Sequence, residues 1–250
     1  MPTRHGRGLA ARASTGYRFP METTRLTTSA VSADVNVRAY VARVFMWMSA
    51  GLAVTAILAW PLGHNTHVVA RLNGSPWLTL GLVVAIFAML FAILTVARRS
   101  ESATLAGSLF LVFCGLQGIF LAPLVAYYSD ASLVACFTTA SGMFGVVGAF
   151  GYVTDRDLSR LGSILVMALW GLILAMVVNL FIASSTASLA ISVVGVVLFC
   201  GLTAYDMQNI RRMAEVDDAR SPSAVLGALS LYLDLLNLML FLLRIFGNSR

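Results

Sequence analysis

The sequence predicts an all-α, polytopic membrane protein with seven transmembrane helices. Of its 250 residues, 59% are hydrophobic and only 11% are charged, and the mean hydropathy is +0.85. Soluble domains carry about 25% charged residues. Apolar runs of about 20 residues recur along most of the chain, and this length crosses roughly 30 Å of hydrocarbon at 1.5 Å per residue.

Seven apolar runs define the predicted spans, and their short connections place neighbouring helices antiparallel. Residues 39–250 are therefore predicted to be a transmembrane domain. Residues 1–38 are polar and poor in acids, without the apolar core of a secretory signal, which predicts a disordered cytosolic tail. An organellar transit peptide is the alternative for this tail. The predicted spans are Ala39–Trp60, Trp77–Ala97, Thr104–Tyr128, Ser132–Val153, Leu161–Ala183, Thr186–Tyr205 and Ala224–Phe246.

The distribution of arginines predicts the orientation. The net charge of +6 does not indicate nucleic-acid binding, because the basic residues lie in the tail and between apolar runs, without a recognition helix. With a cytosolic N-terminus, only Arg71, Arg244 and Arg250 of the 17 basic residues lie outside. The positive-inside rule therefore predicts a cytosolic N-terminus and an outer C-terminus. The use of Arg without Lys in an Ala-rich chain favours a bacterial origin.

The cysteines and histidines give no signal for a bound cofactor. Cys114, Cys136 and Cys200 each stand alone within an apolar run, where a thiol usually serves as a small hydrophobic side chain. His64 and His67 form an H-x-x-H pattern in a predicted loop, but zinc requires further ligands. We therefore expect no tightly bound cofactor.

Two backbone features stand out inside the spans. In "SGMFGVVGAFG", Gly142, Gly145, Gly148 and Gly151 are three residues apart, which predicts one ridge that lets another helix approach closely. Pro123, in the third span, frees a backbone carbonyl one turn earlier. In lipid, either neighbouring groups or a water-lined cavity must satisfy that carbonyl.

Asp234 is the most informative polar residue, because it interrupts the last apolar run. It lies ten residues, or about 15 Å, from the cytosolic end of that span. An acid at this depth costs roughly 3 kcal/mol or more and is functional by default. Ser230, Asp234 and Asn237 follow at spacings of four and three, so they share one helix face. That face is predicted to point into the bundle.

Asp206, in "GLTAYDMQNIRRM", supplies a second acid just inside the cytosolic boundary of the sixth span. Thr203 precedes it by three residues on the same face. The connection between the last two spans allows them to lie side by side, so Asp206 can approach Asp234. Two carboxylates in a low-dielectric bundle do not both ionise easily, which predicts a shared proton and packing that responds to pH. Alternatively, Asp206 is a surface acid and Asp234 a hydrogen-bonded packing residue.

Several segments resemble the Bax-inhibitor (transmembrane Bax-inhibitor-motif) family in its bacterial branch. The resemblance extends from about Val41 to the end of the chain. It is carried by "GIFLAPL", "GYVTDRDLSRLGSILVMALWGLILAMVVNLFI", "GLTAYDMQNI" and "GALSLYLDLLNLMLFLLRIFG".

The resemblance implies a seven-helix fold with the last helix central in the bundle, and a pH-sensitive calcium leak. It implies that Asp206 and Asp234 form the proton sensor and gate, associated with an arginine at the end of the second span, Arg98 or Arg99. Calcium prefers six to eight oxygen ligands. Asp206 and Asp234 are therefore predicted to coordinate calcium, as the permeant ion, only weakly and transiently. Thr203, Ser230 and Asn237 would form the polar face of its path. The expected partners are the lipid bilayer, calcium and protons, and a membrane protein partner is a further candidate.

Other functional classes fit the sequence less well, and we predict that the protein is not an enzyme. Intramembrane aspartyl proteases have Gly-x-Gly before the second catalytic Asp, whereas Leu231, Tyr232 and Leu233 precede Asp234. A serine rhomboid-type protease would need a base, but no span contains His. The stronger alternative is a non-transporting membrane regulator that binds a protease or a stress-pathway partner.

Overall fold

The computed structural model describes residues 21–99, 102–218 and 220–250, and residues 36–250 form one compact unit. The described residues form eight α-helices and no named strand. The helices are α1 (Met21–Gly63), α2 (Thr66–Gly74), α3 (Pro76–Arg99), α4 (Ala103–Tyr127), α5 (Asp130–Val153), α6 (Ser159–Ile182), α7 (Ser185–Val216) and α8 (Ser223–Phe246).

Seven of these helices are long and apolar enough to cross a membrane, which confirms the predicted fold class. They are α3 to α8 and the part of α1 from Val35 onward. In α8, 67% of the most apolar window is buried, compared with 6% in α3 and in α6. The outer helices expose apolar side chains, as a lipid-facing surface requires. The prediction that the last helix is central is therefore confirmed.

The tail predicted at residues 1–38 is only partly covered by the structure. Residues 1–20 lie outside the described residues. Helix α1 begins at Met21.

Helix α2 corrects the prediction that His67 lies in a loop. Asn65 caps this helix, since its side-chain oxygen accepts hydrogen bonds from the His67 and Val68 backbone N–H groups at 3.1 and 3.2 Å. Leu72 is buried while the opposite face of the helix is exposed. The short amphipathic helix escaped prediction because its apolar residues are too few for a span.

Helix α7 continues beyond its predicted end at Tyr205 to Val216. Its last turns bury Met207, Ile210 and Ala214, while polar residues on the other face lower the mean hydropathy. An apolar run therefore underestimates the helix length. Asp206 consequently lies in the interior of a helix.

The glycine ridge predicted along α5 is only half correct. A Cβ atom on Gly151 would overlap the Ala204 backbone of α7, and one on Gly148 would reach ordinary contact distance of Met207 and Thr203. In contrast, a Cβ on Gly142 or Gly145 would meet nothing within 4 Å. At 3.6 residues per turn, every step of three residues rotates the position by about 60°, so the three steps from Gly151 to Gly142 turn it by about 180° and away from the interface.

The residues after α8 fold back onto the α4–α5 connection. The Ser129 N–H donates to the Asn248 carbonyl at 3.0 Å, and the Arg250 N–H donates to the Tyr127 carbonyl at 3.0 Å. The Arg250 guanidinium also contacts the Asp130 carboxylate. These contacts define one end of the bundle, which we call the α2 end. The opposite end carries the α5–α6 loop and is called the loop end.

The close approach at Gly151 predicts a selective loss of stability. Gly151→Ala should lower the free energy of unfolding by about 1–3 kcal/mol, because the new methyl group meets backbone that cannot move aside. Gly142→Ala should be neutral or slightly stabilising, since its site is open. Thermal unfolding of both variants in detergent tests this, and equal effects would contradict the described α5–α7 contact.

Candidate functional site

Helices α7 and α8 pack antiparallel in one register along the whole interface. Because they run in opposite directions, moving towards the loop end increases residue numbers on α7 and decreases them on α8. A Cβ on Gly195 would meet the Phe241 ring at 2.7 Å, and one on Gly227 would meet Ile210 at 3.0 Å. The paired residues, in order from the α2 end, are Gly195 with Phe241, Thr203 with Asp234, Asp206 with Ser230, and Ile210 with Gly227.

This register brings the two predicted acids together. Asp234 on α8 is 5% exposed, and Asp206 on α7 is half-buried. The charge of Asp206 acts directly on Asp234. Each carboxyl group also lies beside a hydroxyl of the other helix, Asp206 beside Ser230 and Asp234 beside Thr203. The sequence-predicted residues Asp206, Asp234, Ser230 and Thr203 therefore form one cluster.

Asp206 lies deeper than the sequence predicted. It is level with Ser230, which is seven residues from the first residue of α8, or about 10 Å along the helix axis. The prediction placed it about one turn from water, because α7 was expected to end at Tyr205.

The hydroxyl groups of the cluster already donate to backbone carbonyls. The Thr203 hydroxyl donates to the Phe199 carbonyl at 2.7 Å, and the Ser230 hydroxyl donates to the Gly227 carbonyl at 3.1 Å. A hydroxyl has one proton to donate and can otherwise only accept. Each hydroxyl can therefore serve as donor either to its backbone carbonyl or to the neighbouring carboxyl group, but not to both at once.

The Asp234 carboxyl group is only partly compensated by hydrogen bonds. Its Oδ2 atom is buried and has no hydrogen-bond partner among the described residues. In the same part of the chain, no basic side chain forms an ion pair with Asp206 or Asp234. A buried charge without partners costs several kcal/mol. The geometry therefore favours the neutral form of Asp234.

The predicted arginine association is not made in this structure. Arg98 and Arg99 are exposed in the last turn of α3 at the loop end. Neither forms an ion pair with Asp206 or Asp234 within the described residues. Asp206 lies about 10 Å deeper along the bundle axis, which accounts for the separation.

Asn237 continues the polar face one turn towards the α2 end, and Phe241 then closes it. The Asn237 side-chain amide donates to the Leu233 carbonyl at 2.8 Å. The Phe241 ring is buried, stacks on Phe199 with centroids 5.8 Å apart, and fits where Gly195 lacks a side chain. This apolar barrier was missed in the sequence because it depends on the pairing of two helices.

At the loop end, α7 holds the α5–α6 loop through Gln208. The buried Gln208 amide accepts from the Leu158 N–H at 2.9 Å and donates to the Arg156 carbonyl at 2.8 Å and the Thr154 carbonyl at 3.4 Å. Arg211 adds a bond to the Tyr152 carbonyl at 2.8 Å. Gln208 is two residues from Asp206 on α7. A movement of this part of α7 would therefore also move the α5–α6 loop.

An exposed ion pair completes this loop contact. Arg212 donates to the Asp157 carboxylate at 2.6 Å, and this hydrogen bond holds the pKa of Asp157 well below its usual range. The contribution of Asp157 is therefore complete above its ordinary pKa, near 3.9, and is lost only as the pH falls below that range. Asp157 does not titrate near neutral pH.

Tyr232, two residues before Asp234, ties α8 to α1 and α4. Its hydroxyl is 2.7 Å from the Thr55 hydroxyl, which lies 3.0 Å from the Cys114 carbonyl of α4. Phe110 and Phe113 pack edge-on against the Tyr232 ring. The side of α8 opposite the acid pair is thus fixed to α1 and α4.

The acid pair has few oxygen ligands for a metal ion. Within the described ranges, no three His, Cys, Asp or Glu side chains come together. Asp206 and Asp234, with Thr203 and Ser230, offer two carboxyl and two hydroxyl groups. Calcium takes six to eight oxygen ligands, so water would have to complete any coordination here.

The fold and the cluster define a class, a multi-pass membrane protein with an acid pair inside a seven-helix bundle. A family model described as "Inhibitor of apoptosis-promoting Bax1" matches residues 37–250. The chain belongs to this family, which confirms the predicted resemblance.

Relatives with this similarity occur in several bacteria. The chain is 38% identical to the "Inner membrane protein YbhL" of Escherichia coli K12, over 93% of this chain and 99% of that protein. It is 41% identical to a protein of Deinococcus radiodurans, over 86% and 92% of the two chains, and 38% identical to one of Borreliella burgdorferi, over 84% and 92%. Together with the seven apolar helices, these relatives support a multi-pass protein of the cell membrane.

The loop contact predicts the behaviour of a Gln208 variant. Gln208→Ala should increase tryptic cleavage after Arg156 about tenfold, because it removes the three hydrogen bonds that close the α5–α6 loop. Asn209→Ala is the matched control, since the described residues give the Asn209 side chain no hydrogen bond. Equal cleavage of both variants in detergent would refute the role of Gln208.

Proposed function

We propose that this protein is a pH-sensitive calcium leak channel, gated by a proton that Asp206 and Asp234 share. The observation that carries the proposal is the environment of Asp234. One of its carboxyl oxygens is buried without a partner, a second acid lies beside it, and no basic side chain of the described residues forms an ion pair with either acid. Such a pair is stable while it keeps a proton and becomes repulsive without one.

In the protonated state the proposed route is shut. A bridging proton removes the repulsion between the two carboxyl groups, so α7 and α8 stay in contact. Phe241 then blocks the polar face on the α2-end side of Asn237, and the Gln208 contact holds the α5–α6 loop at the loop end. The contact of α7 with α8 and the position of Phe241 support the proposal of such a closed state.

Loss of the proton leaves two buried negative charges on adjacent helices. Their repulsion favours separation of α7 from α8, which admits water to both carboxylates and moves Phe199 and Gly195 away from Phe241. Asp206, Asp234, Thr203, Ser230 and Asn237 then line the path. Arg98 or Arg99 is proposed to associate with the carboxylates only in such a rearranged state.

Calcium is proposed as the permeant ion, and no tightly bound cofactor is required. Two carboxylates attract a divalent cation, but the cluster lacks the ligands for tight binding. Weak coordination suits passage, because a tightly held ion would not leave. We propose that the N-terminus is cytosolic and the C-terminus is outside, as the arginine distribution predicts.

A non-transporting regulator that binds a protease or stress-pathway partner is the second candidate. It draws support from the tight α7–α8 contact, in which Thr203 is fully buried and Asp234 nearly so. Under this proposal the acid pair would tune packing only. Purified protein in lipid vesicles distinguishes the two candidates, since a regulator without its partner should not increase calcium flux.

The proposed gate predicts how flux depends on pH. In proteoliposomes with trapped calcium indicator, wild-type flux should rise with pH, approaching tenfold per unit where one proton controls opening. Asp234→Asn and Asp206→Asn should each abolish this dependence, because no shared proton remains to be lost.

Asp157→Asn is the control for these variants. Its carboxylate lies at the same end of the bundle but is exposed and already ionised at neutral pH, so this variant should keep the wild-type pH profile. Unchanged pH dependence in Asp234→Asn, or an equal loss in Asp157→Asn, would refute the gate.

A further inference from the structure

A cavity opens at the α2 end, away from the acid pair. Its volume is about 430 Å³, and residues of α2, α3, α4 and α8 line it. This volume lies within the range of small-molecule pockets. The cavity reaches Leu82, six residues into α3, and Leu240, six residues before the end of α8. It therefore extends about 9 Å along the bundle axis from the helix ends.

The cavity is polar at its mouth and apolar in its depth. Asn73, Thr79, Tyr128 and Arg244 lie near the helix ends, whereas leucines line the deeper part. This polarity follows the membrane normal, from the interface towards the hydrocarbon. A ligand that fits it has a polar group at one end and an apolar chain at the other.

Arg244 gives the mouth a positive charge that the described residues do not neutralise. It is in the last turn of the central helix and forms no ion pair within the described part of the chain. Its guanidinium lies over the Phe241 ring, 5.9 Å from the centroid, which fixes its direction. The Asp130 carboxylate, the acid at this end, is already engaged by Arg250. The cavity therefore favours an anionic group.

The proline of α4 adds to the same wall. Pro123 has no N–H, so it cannot bond the carbonyl of Ile119, four residues earlier, and both residues line the cavity. Such a carbonyl needs a donor when it lies in the membrane. A headgroup hydroxyl or a water molecule that accompanies it would satisfy this requirement.

A second cavity at this end provides a contrast. It measures about 300 Å³, lies between α1, α4, α5 and α8, and has no charged side chain in its lining. Of these two cavities, only the first, which we call the Arg244 cavity, has both a cationic side chain and an apolar interior.

We propose that the Arg244 cavity binds one membrane phospholipid with an anionic headgroup. The phosphate pairs with Arg244 at the mouth, and an acyl chain lies along Leu82, Leu124 and Leu240. Arginine suits this role, because its planar guanidinium bonds two phosphate oxygens at once. Because the site touches α8 beside Phe241, the lipid would stabilise the closed position of that ring. Lipid retention itself does not require calcium flux.

Native mass spectrometry of the full chain tests the site. The protein is released from nanodiscs that contain equal amounts of chain-matched phosphatidylglycerol and phosphatidylcholine, and the retained lipids are counted. Wild type should retain one phosphatidylglycerol. Arg244→Gln should lower the ratio of retained phosphatidylglycerol to phosphatidylcholine about tenfold, the loss expected for one charge-assisted contact.

Two further variants make the result decisive. Arg71→Gln removes an exposed arginine of α2 at the same end that does not line this cavity, so it should keep the wild-type ratio. Leu82→Trp fills the cavity and should abolish retention although Arg244 remains, which decides the question if Arg244→Gln does not fold. Equal retention of both lipids by wild type, or an equal loss in Arg71→Gln, would overturn the proposal.

Discussion

The contact between α7 and α8 places two carboxyl groups beside each other, and no cationic side chain of the described residues pairs with either of them. Three features of this contact act together, namely the antiparallel register, the burial of Asp234 and the lack of an ion-paired basic side chain among the described residues. An ionised pair would carry two uncompensated charges in a low-dielectric interior. A proton held in common removes most of that cost, so the stability of this interface is coupled to proton concentration.

Contacts with the rest of the bundle connect the α7–α8 interface to the other helices and to the α5–α6 loop. Tyr232 anchors one side of α8 to α1 and α4, while Gly151 allows α5 to press closely on α7 at Ala204. Phe241 closes the polar face on one side of the acids, and Gln208 holds the α5–α6 loop on the other. Separation of α7 from α8 would therefore disturb both ends of the proposed path. Each of these contacts by itself would also occur in a bundle that does not change conformation.

Much of this arrangement could be predicted from the sequence, because a charged group inside the membrane is energetically costly. Asp234 is conspicuous in an apolar run, and its spacing from Ser230 and Asn237 defines a face without knowledge of the fold. The cap of α2 by Asn65, the extension of α7 to Val216 and the fit of Phe241 against Gly195 were not predictable in this way. The first two depend on local polar contacts that mean hydropathy hides. The third requires the register of two helices.

Infrared difference spectroscopy of the reconstituted protein tests the shared proton most directly. A protonated carboxyl group has a C=O band that disappears on ionisation, and labelling aspartate with carbon-13 assigns the band. Wild type should show one such band at neutral pH that is lost on further titration, and both Asp206→Asn and Asp234→Asn should remove that transition. A spectrum in which every aspartate is ionised at neutral pH, or a band that either variant leaves unchanged, would contradict the account.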